Sequence, residues 1–426
     1  MLLSLFKNFL SLAGAEVFTK AITFAAFAYL ARILGAAGFG YVEWSAAVLM
    51  CTSLIVDQGF SSYGAREIAR MPSATPKLTS EIVTARFGMA LFAYAVVASF
   101  AFLFVGDPTI RLLLLIYGLS LWALPLLLQW VFQGHDRMNL VALIGIIRQT
   151  VFVGVIFAFV RSADDLLLVG IAETAAVAAA AIVSVWMYRR HFPGTKRLRP
   201  TVSIKLFREG APIGLSQMFW TIKMFGATLI LGLVATAEDT GYFAGAMRIL
   251  IAVHTFVWLY HFNLLPSLSR AWIEGREKFG LIVRNSMRIV VPIGIAFGIA
   301  WIWLAPFVMK TAYGQEFAAA GGALQWMAGA CVAAAVSGHY RFGLIAAGLQ
   351  TKEMVVSAIG AVFAAVLIPA GYFQAGTSGA AAALCFAEMV VLLTSWLIAR
   401  RGLFGPNNAK MQPNDSSFRD LPEVTR

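Results

Sequence analysis

Charge is scarce in this chain. Only 13% of its 426 residues are Asp, Glu, Lys or Arg, while 60% are hydrophobic and the mean hydropathy is +0.79. A soluble globular domain carries roughly 25% charged residues, so that class is excluded. Acid is scarcer than base, 21 residues against 33, but the net charge of +12 does not indicate nucleic-acid binding, because Lys and Arg concentrate in short loops. The three cysteines, Cys51, Cys331 and Cys385, lie far apart in apolar stretches and form no metal or redox spacing. His135, His191, His254, His261 and His339 are equally scattered, so no metal-ligand cluster is expected. A Walker A run is missing, which argues against ATP hydrolysis. No cleavable signal is expected either, since the first apolar segment is too long for one.

What the chain has is apolar runs of membrane-crossing length. Twelve are legible, at about 9–33, 40–58, 82–105, 109–132, 139–160, 164–188, 211–235, 241–265, 286–307, 319–346, 353–374 and 377–399. Backbone in hydrocarbon must satisfy its own hydrogen bonds, and the alternation of a β-barrel is absent, so the expected fold is all-α and polytopic. Arg66, Arg70 and Lys77 follow the second span, Arg137 the fourth, and a long basic stretch including Arg189, Arg190, Arg197 and Arg208 the sixth. Arg270, Arg276, Lys278 and Arg284 follow the eighth, Lys352 the tenth, and Arg400 and Arg401 the twelfth. The alternate loops are poor in base. Both termini are therefore expected in the cytoplasm.

The basic stretch divides the chain into a six-helix lobe over 1–188, a linker over 189–210 and a second six-helix lobe over 211–402. Residues 403–426, rich in Pro and Asn, are expected to be disordered. The halves echo each other. A shift of 201 residues carries Gly35-Ala36-Ala37-Gly38-Phe39-Gly40-Tyr41 onto Thr236-Ala237-Glu238-Asp239-Thr240-Gly241-Tyr242, and brings Lys20 within a helical turn of Lys223. Equal span numbers give both halves the same orientation, with a site expected between them.

Five cations inside spans are the candidates for a buried site: Lys20, Arg148, Lys223, Arg248 and Arg341. A full charge in hydrocarbon costs at least ~2.5–3.5 kcal/mol on insertion scales, so such residues face protein or water. Their sign suggests a watery cavity suited to an anion. The competing reading is ion pairing: Glu16 is one turn from Lys20, and Glu43, Glu173 and Glu388 could neutralise the others or bind a coupling proton or sodium ion. Pro125, Pro292 and Pro369 could loosen their helices. Asp57 is expected to fix the end of the second span by pairing with Arg66 or Arg70, and Arg86, Arg284 and Arg288 to snorkel to the interface.

Leu30-Ala31-Arg32-Ile33-Leu34-Gly35, Phe39-Gly40, Asp57-Gln58-Gly59-Phe60 and Arg66-Glu67-Ile68-Ala69-Arg70 together resemble the opening of the polysaccharide-synthesis flippases, the Wzx-type proteins of the MATE-like superfamily. Tyr313-Gly314-Gln315-Glu316-Phe317 resembles a second landmark. The resemblance spans roughly residues 9–400. It implies a V-shaped, two-lobed transporter in the bacterial inner membrane that moves undecaprenyl-diphosphate-linked oligosaccharide from the cytoplasmic to the periplasmic leaflet. The cations above would then hold the diphosphate. Gln217, Trp220, Tyr242, His254 and Gln325 could bond or stack on sugars. No cofactor is implied. Membrane lipid, a polysaccharide polymerase and a chain-length regulator are the expected partners of a monomer. Rival readings are a cation-coupled small-molecule exporter of the same superfamily, a peptidoglycan-precursor flippase and an accessory subunit. A membrane-embedded polymerase or ligase is a rival from the enzymes, but it would need a sizeable periplasmic loop, which the sequence lacks.

Overall fold

The computed structural model describes the backbone of residues 2–192 and 204–404, with the side chains of 2–20, 205, 211–213, 215–217, 219, 220, 223 and 224 left undescribed. Helices account for nearly all of it, in chain order α1 (Leu2–Asp57), α2 (Phe60–Arg70), α3 (Thr75–Phe104), α4 (Pro108–Leu119), α5 (Gln129–Gly134), α6 (Met138–Phe159), α7 (Leu166–His191), α8 (Ile204–Val234), α9 (Ala237–Glu274), α10 (Arg276–Tyr313), α11 (Gly321–Ala346) and α12 (Gln350–Gly402). Among the described residues, nine helices are long and apolar enough to cross a membrane.

Two of those nine are hairpins. In α1 the helix breaks at Gly35, whose φ of 68° is one that a side chain would oppose. Phe27 and Glu43 lie two turns either side of the break and both touch Arg248. A straight helix would hold them about 24 Å apart, so the arms run antiparallel. In α12 the break is at Ala375 and Gly376. There Gly371 and Gly379 approach so closely that a Cβ on either would fall within 2.4 Å of the other's carbonyl oxygen. With α8, whose 31 residues reach about 46 Å, the hairpin arms bring the crossings to the twelve expected.

Other elements depart from the sequence expectation. Residues 60–70, expected as loop, form the amphipathic helix α2. It buries Phe60, Tyr63 and Ile68 against Ile82 and Trp130 of the first lobe and Phe207 of α8. The fourth span is broken: 3-10 turns at Ser120–Trp122 and Leu124–Leu126 separate α4 from α5, with Pro125 in the second turn. Ser184 Oγ accepts from the Leu128 amide at 2.7 Å, satisfying one group that the break exposes. The basic linker is narrower than expected, since α7 runs to His191 and α8 starts at Ile204. The tail beyond 404 lies outside the described residues.

One large apolar core joins the lobes. Phe27, Phe39, Val42 and Phe152 from the first meet Phe243, Met247, Tyr313 and Phe317 from the second. Large apolar side chains such as Leu103, Trp303, Phe307 and Phe373 stay exposed on the outer helix faces, where lipid would cover them.

Candidate functional site

The lobes are clasped at the face that carries the Gly35 hinge. Arg32 donates from Nε to the carbonyl of Ala312 at 3.2 Å and from a terminal nitrogen to that of Thr311. It thereby neutralises the C-terminal end of α10, where carbonyl dipoles point outward. Reciprocally, Glu316 Oε1 accepts from the Ala36 amide at 3.1 Å, at the start of the second arm of α1. The two sequence landmarks are thus one structure: each lobe caps a helix of the other.

Below the clasp lies a cavity of ≈ 580 Å³ between the lobes. Its walls come from both arms of α1, from α4, α6 and α7, and from α8 and α9. A second chamber of ≈ 330 Å³, reaching Gln129 and Gln149, shares Phe27, Arg148, Phe152 and Glu173 with the first. Most of the lining is apolar or aromatic, with Phe24, Phe27, Tyr117, Phe152 and Phe225 prominent.

Two ion pairs supply the charge. A terminal nitrogen of Arg148 on α6 lies 2.6 Å from Glu173 Oε1 on α7. Arg148 is 47% exposed and Glu173 only 16%. Its other N–H groups have no partner among the described residues and border both chambers. Across the lobe boundary, Arg248 Nε of α9 lies 2.5 Å from Glu43 Oε1 on the second arm of α1. The Arg248 guanidinium also covers the Phe27 ring, 3.1 Å from its centroid.

For Arg148 and Arg248 the structure favours the ion-pairing reading; the side chains of Lys20 and Lys223 lie outside the described residues. Among the described lining residues, two arginines face two glutamates and the formal charges cancel. An unpaired guanidinium in this apolar setting would carry a large desolvation cost, which a carboxylate offsets. Glu43 and Glu173, expected as ion-coupling candidates, are those carboxylates. Pairing over 205 positions leaves no local trace in the sequence.

Other expected site residues lie elsewhere. Arg341 is outside the cavity, bonded to Glu353 (Nε to Oε1, 3.0 Å) and to Ser357 Oγ at 2.9 Å. Tyr242 donates to Glu238 at 2.7 Å and packs edge-on against Phe317 in the clasp. Gln325 donates to the Ile302 carbonyl at 2.6 Å, between α11 and α10. His254 and Glu388 line a separate void of ≈ 20 Å³ with Met247 and Cys331. The side chains of Glu16, Lys20, Gln217, Trp220 and Lys223 lie outside the described residues. Asp57 pairs not with Arg66 or Arg70 but with Arg86, which also reaches Ser61. Arg86 is 4% exposed and does not snorkel. Arg66 instead bonds Glu67 and reaches Glu209 of α8 at 3.7 Å.

One grouping escaped the sequence reading altogether. His261 and His339, 78 positions apart, meet with Nε2 and Nδ1 at 3.4 Å. Ser286 Oγ lies 2.7 Å from His339 Nε2 and touches the Tyr260 hydroxyl. This buried network ties α9, α10 and α11 together. Among the described residues no group of three or more His, Cys, Asp or Glu could hold a metal.

The two-lobed bundle of about twelve membrane helices around a central cavity is a fold that solved structures share. A multidrug-resistance MATE-family transporter of the MOP superfamily, inward-facing, aligns with a TM-score of 0.72 at 13% identity over 91% of this chain and 94% of that one. The lipid II flippase MurJ, inward closed, aligns at 0.70 and 12% identity over 91% and 87%. In sequence, a curated protein of Escherichia coli (strain K12), provisionally named O-antigen transporter, is 22% identical over 328 residues, 74% of this chain and 77% of its own length. The family model described as polysaccharide biosynthesis protein matches residues 5–272, and the chain belongs to that family. It is a multi-pass membrane protein by the length and apolarity of its helices. The 313–317 landmark lies beyond the family match.

Proposed function

We propose that this protein is the flippase for an undecaprenyl-diphosphate-linked oligosaccharide, carrying it by alternating access from the cytoplasmic to the periplasmic leaflet of the bacterial inner membrane, with both of its termini in the cytoplasm. The observation that carries the reading is Arg148: a half-exposed guanidinium between two chambers, with one nitrogen on Glu173 and further donors toward the cavity. A diphosphate has more acceptor oxygens and more charge than a carboxylate, and can share or displace Glu173 on that arginine. Aromatic walls suit the C–H faces of sugars. Family membership and the named relative support the substrate class.

The Glu43–Arg248 pair supplies a route from binding to motion, because it joins one lobe to the other. A diphosphate competing for Arg248 would weaken that bond while engaging Arg148 in the first lobe. Coupling is assigned by the size of the space beside an acid. Glu388 faces a void of ≈ 20 Å³, room for one water-sized ion and too small for a sugar, so we place the coupling proton or sodium ion there. The flippase acts as a monomer and hands its cargo to a polysaccharide polymerase and chain-length regulator.

A small-molecule exporter is the second reading, favoured by the two carboxylates in the lining. The two part in one experiment: reconstituted vesicles carrying lipid-linked oligosaccharide in one leaflet, scored by access of a membrane-impermeant glycan reagent. Transfer that needs the protein and fails with Arg148→Gln supports the flippase. Protein-dependent export of a lipophilic cation without glycan transfer overturns it.

A further inference from the structure

Outside the cavity, a groove of ≈ 690 Å³ runs between α10, α11 and the end of α12. Three arginines enter it: Arg284 and Arg288, one turn apart on α10, and Arg400, two residues before α12 ends. Like charges at this spacing repel on a helix, and the third adds to the repulsion. Each is exposed, and among the described residues none has a carboxylate within 4 Å. By contrast, the cavity arginines, the buried Arg86 and the half-buried Arg341 are all paired. Trp396 gives aromatic support, its ring centroid 5.6 Å from the Arg400 guanidinium.

The rest of the groove is apolar. Met287, Val291 and Pro292 form its α10 side, and Ile289 and Ile293 beside them are 61% and 63% exposed, as expected at hydrocarbon depth. The arginines therefore sit where headgroups meet acyl chains, on the face that carries the basic loops. A soluble anion would use the cations and leave the apolar groove unfilled; an acidic protein segment would have to enter hydrocarbon.

We propose that this groove is a binding site for an anionic phospholipid, its phosphate held by Arg284, Arg288 and Arg400 and an acyl chain lying along Met287, Val291 and Pro292. Basic pockets between membrane helices select such headgroups. The site is independent of the transport reading and would pin the start of α10 to the end of α12.

Native mass spectrometry of the full chain in detergent, titrated with phosphatidylglycerol or phosphatidylcholine, tests it. The wild type is expected to retain phosphatidylglycerol in preference. The R284Q/R288Q/R400Q variant should lose roughly a hundredfold in apparent affinity, three surface charges contributing about equally. R284K/R288K/R400K should keep most of it. Melting of each variant without added lipid separates a folding defect from a binding one. Equal retention of phosphatidylglycerol by the glutamine variant, equal retention of phosphatidylcholine by the wild type, loss with lysines as complete as with glutamines, or full displacement by millimolar inorganic phosphate would each overturn the proposal.

Discussion

Gly40 and Gly241 meet backbone to backbone at the clasp, and the meeting is reciprocal. A Cβ on Gly40 would fall 1.9 Å from the carbonyl oxygen of Ala237, and one on Gly241 would fall 2.0 Å from that of Ala36. Those carbonyls are themselves related by the shift of 201 residues that relates the glycines. The local two-fold relation between the halves therefore passes between these two residues, where helix backbones touch with no side chain between them.

Replacing either glycine by alanine should force the lobes apart at this face. Overpacking of this kind costs about 1–3 kcal/mol. Gly40→Ala and Gly241→Ala are each expected to lower the melting temperature in detergent. The double variant should lose less than the sum, because the first methyl already opens the shared contact. Additive losses would show that the two contacts are independent.

Much of this architecture was legible in the sequence, and for identifiable reasons. Twelve spans could be read because hydrocarbon demands long apolar helices, and the Gly40/Gly241 correspondence because close backbone approach demands glycine. What could not be read was pairing at a distance. Glu43 and Glu173 were visible as buried acids and Arg248 and Arg148 as buried bases, but nothing local says which acid meets which base. The same gap misdirected Asp57, whose partner Arg86 lies 29 positions on, past the sequence-adjacent Arg66 and Arg70. Residues 60–70 were misread because their charges mask a strip of Phe60, Tyr63 and Ile68 that becomes apparent only once α5 and α8 are in place.

Arg148 should matter through its donors as well as its charge. A hydrogen bond to a charged group contributes about 1.5–3 kcal/mol, so Arg148→Gln is expected to slow glycan transfer roughly 10–150-fold. Lysine keeps the charge and loses the planar fork, so Arg148→Lys should fall between. Initial transfer rates in proteoliposomes at matched protein content check both. A lysine variant as fast as wild type would reduce the role of Arg148 to charge alone.

The Glu43–Arg248 pair should show strong coupling. Removing one partner leaves the other charge buried, which costs about 3–5 kcal/mol. Glu43→Gln and Arg248→Gln are each expected to destabilise the protein by that order, and the double variant by less than either. A double-mutant cycle on melting free energies measures the difference. Zero coupling energy would mean that the pair does not hold the lobes together.

Acid should weaken the face opposite the clasp. His135 follows α5, lies 2.9 Å from Thr75 Oγ1 and sits at a tilt to Phe192, ring centroids 4.7 Å apart. Burial, and then the neighbouring Arg137, push its pKa below the ordinary histidine value. The folded state thus favours neutral imidazole, and the unfolded chain binds the proton at higher pH. Stability is then fully present above the unfolded pKa, near 6.5, and declines as pH falls through it toward the lower folded value. His135→Gln, which cannot titrate, should flatten the melting-temperature profile where pH falls through about 6.5.

Asp57 should prove structural, holding the join between α1 and α2. It pairs with a terminal nitrogen of Arg86, a side chain that is almost wholly buried and whose Nε has no hydrogen-bond partner among the described residues. Asp57→Ala strands that guanidinium, with an expected loss of about 3–5 kcal/mol. Asp57→Asn keeps a hydrogen-bond acceptor without the charge and should lose less. Replacing both Asp57 and Arg86 by apolar residues removes the stranded charge, so the double variant should recover part of the loss. Transfer rate per folded molecule should stay near wild type throughout, because neither residue lines the cavity. A variant that folds normally yet fails to translocate would move Asp57 from the scaffold into the transport machinery.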